Sequence, residues 1–290
     1  MIRKSHAYGL HPMTHPKLAM CNFIPDVENL RKTALDHDFS GVDWTFKLED
    51  LPSSEIDESK LHRRISRLAP LEVRYHCAFN GVDLGDANAQ KAHEARAIFR
   101  KACRLVYKLD GKFMTVHLGL GRDSYDELSW ERSVDSLADL VSFAEDLGIR
   151  LCLENLASGW SSRPELFEKL VRKSNAGVTL DIGHARVSPS VQSQHYDFED
   201  FVSPHHERVC NAHIYHEECD DSHTAPETLD DMLDRLQLLR CLPCDWWVLE
   251  LRDENALLST LGVVRQFFDC ASGERPTQYL GIGWDVCNKR

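Results

Sequence analysis

The sequence predicts an α/β protein built as a single (β/α)8 barrel, with eight parallel strands alternating with eight helices. Short apolar runs and amphipathic segments alternate along the chain, and parallel neighbouring strands need helical crossovers of this kind. The 290 residues suit eight strand–helix units in one domain, residues 1–290. No Gly-rich dinucleotide fingerprint follows the first predicted strand, which favours a closed barrel over an open sheet and predicts no nucleotide cofactor.

Each predicted strand is a short apolar run. The strands are predicted at residues 6–10, 41–44, 72–77, 113–117, 150–154, 177–181, 209–214 and 246–250. The helices are predicted at residues 26–37, 57–68, 87–109, 130–147, 163–172, 196–202, 228–239 and 254–270. In the fourth helix, Val134, Leu137 and Val141 recur at helical spacing. Gly111 and Gly148 come after helical segments and can end them before the next strand.

Composition and charge narrow the classes of function. Hydrophobic residues make up 42% of the chain and charged residues 28%, which is ordinary for a globular protein. No apolar run approaches the roughly 18 residues that span a bilayer, and residues 1–6 lack the apolar stretch of a signal peptide. We therefore expect a cytoplasmic protein without a membrane partner. The net charge of −12 disfavours a broad nucleic-acid surface, which needs clustered Lys and Arg.

The cysteines are not expected to form a functional site. The chain has ten of them, scattered rather than spaced as in a small disulfide scaffold, so reduced thiols are predicted. Cys241 and Cys244 are the only close pair, and a lone pair is weak evidence for a metal site. Cys152 is expected to pack inside the barrel beneath the site described next, because it lies two residues before Glu154.

Six successive predicted strands carry a His, Asp or Glu near the carboxyl end. These residues are His76, His117, Glu154, Asp181, His213 and Glu250. The carboxyl ends of barrel strands meet at one mouth, where this fold builds its active site. Strand alternation turns Glu154, Asp181 and Glu250 inward, because their apolar neighbours face the helices.

A single His, Asp or Glu at the end of a strand is more often a hydrated residue without a functional role. Six at one mouth are different, because converging carboxylates repel one another unless they are paired or bind a cation. The sequence therefore predicts a site for a divalent metal ion. The oxygen-rich set favours Mn²⁺, Mg²⁺ or Co²⁺, and the imidazoles also allow Zn²⁺ or Fe²⁺.

Loops after these strands supply further candidates. His184 follows Asp181 by three residues, and Asp221 and His223 are spaced so that both could bind another ion. Their acidic neighbours, Glu217, Glu218 and Asp220, are expected to be hydrated surface residues. Three arginines near strand ends could bind a substrate phosphate or carboxylate, although a surface salt bridge is commoner for any single one. They are Arg122, Arg186 and Arg252.

This ordered set resembles the xylose isomerase-like TIM-barrel superfamily, which includes sugar and sugar-phosphate isomerases and epimerases and the endonuclease IV type of apurinic-site nuclease. The resemblance extends from the first strand to the helix after Glu250. Its strongest element is the series Glu154, Asp181, His213 and Glu250 on four consecutive strands. In the epimerase branch, the resemblance implies one divalent ion on that series. It also implies proton transfer by Glu154 and Glu250, with His184 contacting substrate oxygens.

In the endonuclease branch, the resemblance implies three zinc ions. One would be held by His76, His117 and Glu154, and a second by Glu154, Asp181, His213 and Glu250. The third would be held by His184, Asp221 and His223. The residues after two histidines depart from the nuclease pattern. His76 is followed by Cys-Ala-Phe rather than Ala-Pro-Tyr, and His117 by Leu-Gly-Leu rather than Pro-Gly-Ser.

Two interpretations of the function remain open. The first, favoured by these departures, is a metal-dependent isomerase or epimerase of a small sugar or sugar phosphate, in which the ion binds a carbonyl and its neighbouring hydroxyl while glutamates move the proton. A lyase or dehydratase would use the same residues. The second is a zinc phosphodiesterase acting on abasic DNA. One ion per chain would support the first interpretation and three zinc ions the second. The substrate and the oligomeric state, a homo-oligomer included, are not specified by the sequence.

Overall fold

The computed structural model describes residues 15–120, 125–220 and 222–271. Eight parallel strands close into a barrel there, which confirms the predicted fold class. The barrel strands are β1 (Lys17–Cys21), β2 (Gly41–Phe46), β3 (Glu72–Cys77), β4 (Phe113–Val116), β5 (Arg150–Glu154), β6 (Gly177–Asp181), β7 (Val209–Ile214) and β10 (Trp246–Leu249). A short antiparallel hairpin, β8 (Glu218–Cys219) and β9 (Ser222–His223), follows β7.

The helices cover the outside of the barrel, and several begin at a side-chain cap. They are α1 (Val27–Asp36), α2 (Glu55–Ser66), α3 (Ala89–Lys108), α4 (Trp130–Asp146), α5 (Pro164–Ser174), α6 (Ile182–Val187), α7 (Pro189–Gln192), α8 (Leu233–Arg240) and α9 (Glu254–Ala271). Asp26, Asn88 and Ser129 each accept a hydrogen bond from the first turn of the helix they precede, which satisfies backbone N–H groups that otherwise lack partners. No helix in the described part of the chain is both long enough and apolar enough to cross a membrane.

Two predicted elements need correction or replacement. The strand predicted at residues 6–10 lies outside the described residues, and Lys17–Cys21 takes the barrel position between β10 and β2. The helix predicted at residues 196–202 is wrong, since only a 3₁₀ turn, Phe198–Phe201, forms there. The chain becomes helical earlier instead, because the Asp181 side chain caps α6 directly after β6 by accepting a hydrogen bond from the backbone N–H of His184 at 2.7 Å.

Polar side chains fill the barrel interior below the mouth and satisfy one another. The buried Arg74 donates to Asn211 Oδ1 at 2.7 Å. Asn211 in turn donates to Thr179 Oγ1 at 3.1 Å, and the hydroxyls of Thr179 and Thr115 are 2.8 Å apart. Cys152 is also buried on this inner layer. Cys241 and Cys244 lie between α8 and the amino end of β10, away from the carboxyl ends of the strands.

His205 is a buried histidine outside the mouth. Its ring packs edge-on against Phe167 of α5, with ring centroids 5.7 Å apart. Burial lowers the pKa of His205 to about 4, although the carboxylates of Glu207 and Glu168 favour the charged ring; Arg208 opposes it. The folded protein therefore keeps this imidazole neutral at a pH where an exposed one would be protonated.

This burial predicts a loss of stability in acid. The folded state binds fewer protons than the unfolded chain between the ordinary histidine pKa of 6.5 and about 4. The contribution is complete above pH 6.5 and is lost as the pH falls toward 4, by at most about 3 kcal/mol. His205→Phe should remove this part of the pH dependence of the free energy of unfolding, measured in urea from pH 7 to pH 4. The half-exposed neighbour variant His206→Phe should not, and a pH-independent difference between His205→Phe and the wild type would contradict the prediction.

Candidate metal centre

Six strands deliver the six predicted strand-end residues to one mouth. Glu154 and Asp181 are the last residues of β5 and β6, and His213 is the penultimate residue of β7. His117 and Glu250 directly follow β4 and β10. His76 is the penultimate residue of β3. None of the six is more than 6% exposed. The convergence inferred from strand alternation is therefore present in the structure.

Four of these residues form a central cluster: Glu154, Asp181, His213 and Glu250. Their donor atoms all lie within 4.8 Å of one another. His213 is at its centre, with Nδ1 2.9 Å from Glu250 Oε2, 3.3 Å from Glu154 Oε1 and 3.8 Å from Asp181 Oδ2. Three carboxylates and one imidazole thus face one small buried volume.

A second cluster, formed by His76, His117 and Glu154, shares Glu154 with the first. The two Nε2 atoms are 3.1 Å apart. Glu154 Oε2 lies 3.4 Å from His76 Nε2 and 3.1 Å from His117 Nε2. The two oxygens of Glu154 therefore face different partners, Oε1 the central cluster and Oε2 the histidine pair. A carboxylate in this position can bridge two cations.

A third cluster lies beside these two and contains His184, Glu218 and His223. The β8–β9 hairpin pairs Glu218 with His223, and Glu218 Oε2 lies 3.4 Å from His184 Nε2. His184 is oriented by its Nδ1, which is 3.0 Å from the carbonyl oxygen of Asn155. Glu218 was expected to be a hydrated surface residue, and this expectation is wrong. Asp221, predicted to act with His223, lies outside the described residues.

Asp43 on β2 belongs to the mouth and was not singled out from the sequence. It is 2% exposed, and its Oδ2 is 3.6 Å from His76 Nδ1. A carboxylate behind a ligating imidazole fixes the tautomer and the plane of the ring. The available signal was an acidic residue inside an otherwise apolar predicted strand, between Val42 and Trp44.

The two described arginines among those suggested for substrate binding, Arg186 and Arg252, do not join the clusters. Arg186 pairs with Glu217 at 3.0 Å, and the two side chains are 41% and 38% exposed. This is an ordinary surface ion pair. Arg252 is exposed in the turn between β10 and α9, and Arg122 lies outside the described residues. Their role toward a substrate stays a prediction.

Charges at the mouth are strongly coupled. Burial alone would raise the pKa of Glu154, but His213 and His117 hold it well below its usual value. Burial likewise opposes charge on His213, yet Glu154 and Glu250 raise the pKa of His213 well above its usual value. The pKa of Glu250 is lowered against burial, chiefly by His213. The carboxylates thus stabilise positive charge at the mouth. Protons and metal ions therefore compete for the same side chains.

The buried polar atoms of the clusters indicate which ligand the mouth is suited to bind. Several buried polar atoms of the clusters make no hydrogen bond of good geometry among the described residues, although some lie close to a charged group. A buried polar atom left wholly unpaired costs about 1–3 kcal/mol. The cluster atoms without such a hydrogen bond are His76 Nδ1, His117 Nδ1, Glu154 Oε2, Asp181 Oδ2 and both ring nitrogens of His213. Imidazole nitrogens and carboxylate oxygens are the ligands of Zn²⁺ and Mn²⁺ in proteins, so the residues present fit divalent ions.

Comparison with known proteins gives a family and several relatives. A family model described as xylose isomerase-like TIM barrel matches residues 32–238. An uncharacterised protein of Methanocaldococcus jannaschii is 29% identical over 157 residues, 54% of this chain and 67% of that protein. A second uncharacterised protein of the same organism is 26% identical over 127 residues, 41% of this chain and 43% of its own length.

Several solved structures share the barrel. A D-tagatose 3-epimerase-like protein has a TM-score of 0.68 at 18% identity, covering 89% of this chain and 99% of that one. Endonuclease IV from Thermus thermophilus has a TM-score of 0.63 at 18% identity, covering 88% and 99%. An IolI protein with a binding zinc atom has a TM-score of 0.62 at 15% identity, covering 90% and 100%. At these identities the likeness shows the shared fold, and the reaction must be argued from the site.

Proposed function

Because the chain belongs to the xylose isomerase-like TIM barrel family, we propose that it is a divalent-metal enzyme whose centre, bridged by Glu154, hydrolyses a phosphodiester. One observation carries the proposal. Glu154 Oε1 faces His213 at 3.3 Å, while Oε2 faces His117 at 3.1 Å and His76 at 3.4 Å. A carboxylate with both oxygens directed at ligand groups is suited to bridge two ions and is not free to accept a substrate proton.

Paired divalent ions supply Lewis-acid polarisation of a phosphoryl oxygen and lower the pKa of water. The residues that would hold them are His76, His117 and Glu154 for one ion, and Glu154, Asp181, His213 and Glu250 for the other. Glu250 has a second use. Its Oε2 faces His213 at 2.9 Å, whereas its Oε1 is 3.9 Å from His76 Nδ1. Glu250 therefore keeps one oxygen with which it can accept a proton from an attacking water.

The charge of the chain limits the size of this substrate. The net charge of −12 repels a long polyanion at a distance, and the exposed side chain of Arg186 is already paired with Glu217. We therefore propose a small phosphodiester as the substrate and treat an abasic-site duplex as the alternative to be tested. This proposal differs from the interpretation favoured by the sequence in both the reaction and the substrate class, whereas the ligand residues are the same.

A second candidate is a metal-dependent isomerase or epimerase of a sugar or sugar phosphate, and the available oxygen of Glu250 favours it. Transfer of a proton between neighbouring carbons needs one such acceptor. Epimerisation by two opposed bases needs a second acceptor, and Glu154 has both oxygens directed at imidazoles. Proton transfer at this mouth would therefore use one base, Glu250, rather than the two glutamates expected from the sequence. A lyase or dehydratase would face the same limit.

One set of assays separates the candidates. Protein loaded with Zn²⁺ or Mn²⁺ is given bis(4-nitrophenyl) phosphate, an abasic-site duplex, and ketoses with their phosphates in deuterated water. We expect release of 4-nitrophenol and no deuterium in the sugars. His117→Ala should lower hydrolysis by at least about 10²-fold, because paired ions are needed, whereas the exposed His93→Ala should not. The proposal would be overturned in favour of the isomerase if a sugar incorporated deuterium with both the wild type and His117→Ala and no phosphodiester were cleaved.

A further inference from the structure

Tyr215 is a buried tyrosine at the mouth that the centre described above does not use. It directly follows β7, two residues after His213, and its side chain is fully buried. Its hydroxyl has no hydrogen bond of normal geometry among the described residues. Burial, followed by the carboxylates of Asp181 and Glu250, raises the pKa of Tyr215 well above its usual value. The phenol is therefore neutral and faces the carboxylates of the central cluster.

The ring of Tyr215 is in contact with both histidines of the third cluster. It stacks on His223 with centroids 3.7 Å apart and planes 3° apart. It meets His184 edge-on, with centroids 6.0 Å apart and planes at 86°. The two imidazoles are themselves 5.9 Å apart at 83°. Two contacts thus set the plane of His223: stacking on the tyrosine ring, and the approach of its Nδ1 to the Glu250 carbonyl oxygen at 2.6 Å.

Gly183 forms the other side of this arrangement. A Cβ atom at Gly183 would lie 2.0–2.5 Å from three atoms of the Tyr215 ring, closer than any side chain allows. The ring therefore lies flat between the backbone of α6 and the imidazole of His223. This accounts for the glycine between Asp181 and His184, a position that the sequence argument left without a role.

We propose that Tyr215 is a positioning residue whose ring, held between Gly183 and His223, fixes His223 so that it binds a third divalent ion together with His184 and Glu218. The inference rests on the proposed multi-ion centre. Any aromatic ring of this size fills the space and stacks on His223, so Tyr215→Phe retains the positioning function. An aliphatic side chain removes the stacked face that, together with the contact of His223 Nδ1 with the Glu250 carbonyl oxygen at 2.6 Å, fixes the His223 ring. The ring orientation on which shared ligation depends is then held less firmly.

The test counts ions at controlled free Zn²⁺. Wild-type protein equilibrated in chelator-buffered Zn²⁺ should bind three ions per chain, and Tyr215→Phe should do the same. Tyr215→Leu should lower the affinity for one ion by about 10–100-fold and leave the other two ions bound. Gly183→Ala displaces the ring and should reproduce this loss, which keeps the test available if Tyr215→Leu does not fold. The matched control is Tyr75→Leu, another buried tyrosine stacked on an aromatic ring at 5.7 Å, which should lower stability without losing an ion.

Each outcome decides the role of Tyr215, the proposed function, or both. Three ions of unchanged affinity in Tyr215→Leu and in Gly183→Ala would overturn the role of Tyr215 and leave the proposed function intact. Two ions in the wild type would also overturn it, because the third cluster would then hold none, while the bridged pair would stand. A single ion in the wild type would overturn both. Loss of the ion in Tyr215→Phe would show that the hydroxyl, and not the ring, is responsible, and would contradict the inference as stated.

Discussion

Glu154→Gln is expected to lose at least one bound ion and to lower phosphodiester hydrolysis by about 10³-fold or more. Glu154 is the only residue shared by the central cluster and the histidine pair. Its two oxygens face opposite partners, His213 and His117, at 3.3 Å and 3.1 Å. An amide can present only one oxygen, and its NH₂ group directs hydrogen atoms toward the other partner, so it cannot bridge two cations.

The measurement is the metal-to-protein ratio together with the rate, taken on the same sample. Glu49→Gln makes the same chemical change at an exposed acidic residue and should keep both the ions and the rate. If Glu154→Gln retained every ion with unchanged affinity, Glu154 would not bridge, and the argument for a paired centre would fail. A reduced rate with full ion content would point instead to a role in proton transfer.

Glu250→Gln is expected to behave differently, keeping its ion while turnover falls by about 10²–10⁴-fold. The amide oxygen can still take the place of Oε2, which lies 2.9 Å from His213 Nδ1. It cannot accept a proton as the carboxylate Oε1 can. The His213→Ala variant is the contrasting case, because it removes the nitrogen around which the three carboxylates gather and should empty the central cluster.

Rates and ion content of these two variants separate a base from a ligand. Full activity of Glu250→Gln with the ion bound would show that Glu250 is a ligand only, and the proton would need another acceptor. Equal loss of metal in Glu250→Gln and His213→Ala would show that the Glu250 carboxylate charge is required for binding. In that case the base role assigned to Glu250 is withdrawn, because the amide variant would no longer isolate it.

The parts of the fold that local pattern determines could be predicted from the sequence. The bounds of β3, β5, β6 and β7 agree with the predicted segments. Each is a short run rich in strand-forming residues, and β5 and β6 end at the acidic residues Glu154 and Asp181. The convergence of Glu154, Asp181 and Glu250 followed from strand alternation and from the common direction of barrel strands. Those two rules need no knowledge of side-chain packing.

The parts that depend on distant packing could not be predicted. Lys17–Cys21 was missed as the first strand because its short run, Leu-Ala-Met-Cys, carries no distinct pattern and gains its place by pairing with β10 and β2. Glu218 looked like a hydrated acidic residue until the hairpin placed it opposite His223. The directions of the two Glu154 oxygens depend on where His76, His117 and His213 lie around the barrel mouth. Sequence periodicity does not report that geometry.

The number of divalent ions per chain in the purified wild-type protein tests the central claim most directly. Elemental analysis of untagged protein, purified without chelator and repeated after equilibration in buffered Zn²⁺, gives this number without any knowledge of the substrate. A centre bridged by Glu154 predicts at least two ions per chain, one of which is lost in His117→Ala. A single ion per chain, retained in full by His117→Ala, would contradict it.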